Sequence, residues 1–186
     1  MPRRNDSEIP KIESPAVIGL PERTEATPYY FKYIDRISSG DVVEVLATQR
    51  EEALELFSTI SEEKSLHRYA PEKWSIRQVL NHVNDTERVF LFRALWFARG
   101  FDTPLPSFDQ EVATPMARSD EIPWSKHVEE FDGVRRTTLD FFRNLPSDAW
   151  MRSGIASDNP FTVRALAYIT AGHAAHHMAI VREKYL

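Results

Sequence analysis

The sequence predicts an all-α fold, a four-helix bundle. Four segments carry apolar residues at helical spacing, strand-like alternation is absent, and proline- or turn-rich stretches separate the segments. A chain of 186 residues favours one main domain and is long enough to bury a sizeable core.

The expected organisation is an extended N-terminal arm over 1–35, followed by a helical body over 36–186. Within the arm, Tyr29, Tyr30, Phe31, Tyr33 and Ile34 are too apolar for a free tail and are expected to pack on the body. The first helix is read from about Asp41 to Ser61, with Ser38 or Ser39 near its N-cap. Its inward residues are Val42, Val45, Leu46, Ala53, Leu56, Phe57 and Ile60. The second helix has the clearest start, because Ser75 followed by Gln78 is a capping-box pattern. Its stripe is Ile76, Val79, Leu80, Val83, Phe90, Leu91 and Ala94, and Gly100 is its natural stop. Pro104, Pro106 and Pro115 argue against a regular helix over 101–122, a connection long enough to suggest a functional loop or a crossover. The third helix is read from Trp124 to Asn144, carrying Val128, Phe131, Val134, Leu139 and Phe142 inward. After a turn-rich link over 147–161, Thr162 caps a fourth helix with Val163, Leu166, Ala167, Thr170, Ala174 and Val181 inward.

Charge and composition exclude several functions. A net charge of -5 argues against a general nucleic-acid surface. There are no cysteines, so disulfides, thiolate ligands and a protein thiol nucleophile are all ruled out. The first residues have no apolar core of a secretory signal, and no apolar stretch is long enough to span a bilayer. The expected location is cytoplasmic, with no membrane partner. A homodimer is the default assembly, since two-fold dimers are the commonest.

Any metal must therefore rely on His, Asp, Glu or water, and the histidines are arranged for it. The fourth helix contains GHAAHH. At about 100° per residue, His173 and His177 lie one turn apart on one face, whereas His176 points toward the solvent side. His82 sits mid-way along the second helix, at the inward edge of its stripe. Three neutral imidazoles from two facing helices would make a site with open coordination, the pattern of catalytic zinc. Spacing alone also fits ordinary histidines at a surface or a helix C-terminus, and a hydrogen-bonded core role for His82.

The stretches PEKWSIRQVLNHVNDTERVFLFRALWFARG, TPLPSFDQE and GHAAHHMAIVREKYL are more specific together than apart. Together they resemble the DinB family (DNA damage-inducible, DinB/YfiT-like) over about residues 40 to 186. The resemblance implies a four-helix bundle with one long crossover connection. It also implies a metal held by one histidine of the second helix and the HxxxH pair of the fourth, here His82, His173 and His177. It implies a divalent ion (zinc, nickel or iron suit imidazole) and, in some members, a low-molecular-weight thiol cosubstrate.

The expected function is then a metal-dependent transferase or hydrolase acting on a small molecule. The alternative is a non-catalytic metal or small-ligand binding protein of the stress response. Arg93 shares a helical row with Thr86 and is the candidate substrate clamp, against an ordinary ion pair with a neighbouring helix. Asp85, Glu87 and Arg88 read as a solvated charge run, from which one carboxylate could orient a ligand imidazole. Phe108, Asp109 and Gln110 read either as a rim over the site or as a plain crossover segment. The four tryptophans read as packing residues, and His67 and His127, in polar surroundings, have no assigned role.

Overall fold

The computed structural model describes residues 18–38 and 40–186. The expectations for residues 1–17 and for Ser39 as a cap lie outside the described residues. A 3-10 turn at Pro28–Tyr30 leads into the short helix α1 (Phe31–Ile34). The four long helices are α2 (Val42–Ser58), α3 (Ile76–Ala98), α5 (Trp124–Arg143) and α6 (Val163–Ile180). A seven-residue helix, α4 (Gln110–Met116), lies in the long connection between α3 and α5. No described helix is long and apolar enough to cross a membrane.

Local chemistry sets the helix starts. Asp41, not Ser38, caps α2, accepting from the Val43 N–H at 2.8 Å. Ser75 and Gln78 form the full capping box on α3, at 3.1 and 3.0 Å. Thr162 caps α6 through the Ala165 N–H at 3.0 Å. Beyond α3, Gly100 takes a φ of 82°, the left-handed conformation that a helix stop favours.

Two segments depart from expectation. Helix α4 forms despite Pro115, because Asp109 caps its start at 2.8 Å and the proline sits one residue from its end, where few hydrogen bonds remain to lose. In the 147–161 link, β1 (Ser153–Ala156) pairs antiparallel with β2 (Asn159–Thr162). Strands of four residues are too short to show a period. Their turn, Ser157 and Asp158, carries positive φ without the usual glycine.

Helices α3 and α5 pack on each other, as do α3 and α6, α2 and α5, and α2 and α6. Consecutive helices α2 and α3 therefore face each other across a diagonal. Helix α6 is the central one: every residue from Ala165 to Ala174 is buried, so the single inward stripe expected there is incomplete. Helix α1 packs against α6 as well. The contact is main chain to main chain, since a Cβ on Gly172 would lie 2.1 Å from the Tyr33 carbonyl oxygen.

The largest departure concerns the charge run. Glu87 is buried, and Arg135 of α5 has no exposed side-chain surface. They form a two-pronged ion pair, with Nε and Nη2 of Arg135 each 2.8 Å from a Glu87 oxygen. Arg135 Nη1 also donates to the Leu46 carbonyl at 3.2 Å and to Gln49 Oε1 at 3.3 Å, both on α2. Gln49 in turn donates to the Ala171 carbonyl of α6 at 3.0 Å. One cation thus ties all four long helices. Removing one partner of such a pair strands a buried charge, so Arg135→Ala or Glu87→Ala should cost about 3–5 kcal/mol in urea unfolding. The double substitution Glu87→Leu, Arg135→Met should cost less than either single change.

Candidate metal centre

His82 projects from α3 and His173 and His177 from α6, across the interface these helices share. One ring nitrogen from each lies within 4.8 Å of the others. The ring centroids are 5.0 Å apart for His82 and His173, 4.9 Å for His82 and His177, and 4.5 Å for His173 and His177. His82 Nε2 and His173 Nε2 approach to 3.1 Å. Two nitrogens on a tetrahedral ion, each at 2.0–2.1 Å, would be about 3.3 Å apart, so this pair fits such an ion with little movement.

His82 is also held from behind. Thr86 Oγ1, one turn later on α3, lies 3.3 Å from His82 Nδ1. When Nδ1–H donates to the hydroxyl, Nε2 is left with a bare lone pair facing His173. The Trp74 ring packs 5.1 Å from His82, and Tyr33 and Phe90 pack 5.3 and 5.9 Å from His173. This apolar collar disfavours the imidazolium. Burial pushes His82 down to about 4 and His177 to about 3, and His173 also falls well below its usual value. No described carboxylate joins the group.

His176 is not in the cluster; its ring leans on Tyr33 at 5.6 Å. His127, read as lying in polar surroundings, is fully buried and its Nε2 meets the Ser119 carbonyl at 2.9 Å. No carboxylate of the Asp85–Arg88 run hydrogen-bonds a ligand imidazole. Glu87 pairs with Arg135, and Asp85 accepts from Asn81 at 2.8 Å and from Arg88 at 3.2 Å.

A cavity of 130 Å³ adjoins His82 and His173. Arg93 lines it, and so do Phe108 and Gln110 from the long connection. The anticipated partner for Arg93 on a neighbouring helix is absent among the described residues. Its Nη2 donates instead to the Pro106 carbonyl at 3.1 Å and to Ser157 Oγ at 2.7 Å. His177 borders a separate cavity of 310 Å³, between Trp74, Glu111 and Tyr185.

Residues 46–181 match the family model of the DinB superfamily. The chain belongs to that superfamily. No curated protein matches its sequence. Among solved structures, this DinB chain is similar to YfiT from Bacillus subtilis, with a TM-score of 0.65 at 17% identity, over 88% of this chain and 89% of that one. YfiT is described as "a probable metal-dependent hydrolase with an unusual four-helix bundle topology". At this identity the likeness speaks for the fold alone.

Several residues around the centre of this DinB chain were not foreseen as such. Tyr29, Tyr30 and Tyr33 were expected only to pack, yet they wall the cavity. Ser157 reaches it from the hairpin turn, and Trp74 covers His82 rather than merely closing a helix end. Thr86 carried a readable signal, its i, i+4 spacing from His82.

Depressed histidines have a consequence for stability. In the unfolded chain their pKa returns to about 6.5, so below that pH the unfolded state binds more protons than the folded one. Stability of the metal-free protein should therefore hold above pH 6.5 and decline as pH falls from there toward about 3. Urea midpoints measured across this range should show the slope, and a His82→Leu, His177→Leu variant should show less of it.

Proposed function

We propose that this chain is a divalent-metal-dependent hydrolase acting on a small molecule, with His82, His173 and His177 as the metal ligands. The convergence of three imidazoles, two of them buried and one half-buried, beside a cavity that His82 and His173 line is the observation that carries this reading. Imidazole nitrogen suits zinc, nickel or iron. A bound divalent ion would supply Lewis-acid polarisation and a lowered pKa for the attacking nucleophile.

The chain's own residues do the rest. Thr86 holds the His82 ring in the tautomer that leaves Nε2 for ligation. Trp74, Tyr33 and Phe90 exclude water and so strengthen electrostatic interactions within the site. Three protein ligands leave a position for water or substrate, the arrangement of catalytic rather than structural sites. That opening, with the adjoining cavity, favours an enzyme over a metal-storage or ligand-binding protein. Thiol-dependent transfer would use the same opening, with the thiol brought by a cosubstrate because the chain has no cysteine.

Elemental analysis of purified protein should find about one divalent ion per chain. His82→Ala, His173→Ala and His177→Ala should each lower metal affinity by more than about 100-fold, beyond the range for an outer partner, while His176→Ala retains it. Thr86→Val should weaken affinity about 10- to 100-fold without unfolding the protein. Full metal content in all three ligand variants would place the ion elsewhere. Hydrolysis is then tested with a panel of esters and amides, comparing metal-loaded protein with His82→Ala.

A further inference from the structure

Three arginines in the bundle are buried: Arg77, Arg93 and Arg135. Two of them have carboxylates, Arg77 with Glu62 and Arg135 with Glu87. Arg93 is only 4% exposed and pairs with no described carboxylate. Its hydrogen-bond partners are the Pro106 carbonyl, the Ser157 hydroxyl and the neighbouring Tyr30 hydroxyl, all neutral oxygens. Burying a cation without a counter-charge is costly, and the burial lowers its pKa, with the neighbouring Tyr30 offsetting part of the effect. An anion is what this environment lacks.

The surroundings point the same way. None of the residues lining the 130 Å³ cavity is acidic. Lys32, which does not itself line the cavity, sets a second cation against two of its wall rings, with Nζ 3.7 Å from the Tyr29 ring centre and 4.8 Å from that of Tyr33. His82 and Arg93 are eleven residues apart on α3, which at about 100° per residue places them about 20° apart around its axis. Both side chains line the same cavity.

We infer that the substrate is a small carboxylate, whose charged end seats on Arg93 while its reactive end lies at the His82–His173 side of the same cavity. The placement of the reactive end rests on the proposed hydrolase reading. The anion seat does not, because it needs no metal. Phe90 and the tyrosine rings accommodate an apolar spacer between the two ends. Arg93 acts here as a binding residue that fixes orientation and selects charge.

The test uses metal-free, full-length protein titrated with butanoate and with its uncharged counterpart butanamide, followed by NMR chemical shifts. Butanoate should bind at least about tenfold more tightly, the scale of one charge-assisted hydrogen bond. Its shifts should fall on Tyr30, Arg93 and Ser157. Arg93→Gln should abolish the preference and Arg93→Lys should retain part of it. Equal binding of the two probes, or a preference unchanged in Arg93→Gln, would overturn the seat. Binding of inorganic phosphate in place of butanoate would overturn the carboxylate assignment. Should Arg93→Gln fail to fold, the wild-type map decides, and shifts located elsewhere overturn the proposal. Absence of a butanoate preference in the wild-type protein, with metal binding intact, refutes the seat alone. Butanoate preference in a protein that binds no metal refutes only the hydrolase reading.

Discussion

One guanidinium group holds the bundle in register. Arg135 has no exposed side-chain surface, yet it reaches Glu87 on α3 and two acceptors on α2, one of which continues to α6. Apolar packing is tolerant of small slides along a helix axis. A two-pronged ion pair is not, because a shift of one residue leaves both charges buried and unmatched. The centre between α3 and α6 depends on this. His82 lies five residues before Glu87, so at about 100° per residue the two project from different sides of α3. One side meets α5 through Glu87 and the other meets α6 through His82, and fixing the first fixes the second.

The centre itself is a balance between burial and charge. Imidazole is the side chain that can be buried in a neutral form at modest cost and still present a lone pair. Three carboxylates in the same collar would repel one another or take up protons. Here the surrounding rings keep the histidines uncharged, and a hydroxyl rather than a carboxylate backs His82. The arginine that lines the same cavity follows a different rule, a cation in a wall with no acidic residue.

Much of this was legible in the sequence, and the failures have physical causes. The long helices announce themselves because each buries one face repeatedly, and the capping box of Ser75 and Gln78 marks a start with two reciprocal bonds. The grouping of His173 with His177, and the exclusion of His176, follow from rotation alone. Glu87 was misread because its neighbours Asp85 and Arg88 are charged, and a run of charges looks the same whether or not one member finds a buried partner. Arg135 gave no warning for the same reason. The hairpin over 153–162 was too short to have a period, and α4 was hidden by its own proline. The tyrosines of residues 29–33 were seen to be apolar, but which cavity they would wall depends on long-range packing that no local pattern encodes.

The glycine at 172 draws a boundary through the site. Glycine inside a helix gives up about 1 kcal/mol relative to alanine, and α6 accepts this one residue before His173. In return the main chain at Tyr33 rests directly on the helix, with its ring against the next histidine. The residues that match the superfamily begin at 46, so the whole tyrosine wall lies outside that span. A side chain at 172 would push the Tyr33 main chain off the helix and its ring away from His173, so the shape of this flank of the chamber depends on a methyl group that is not there.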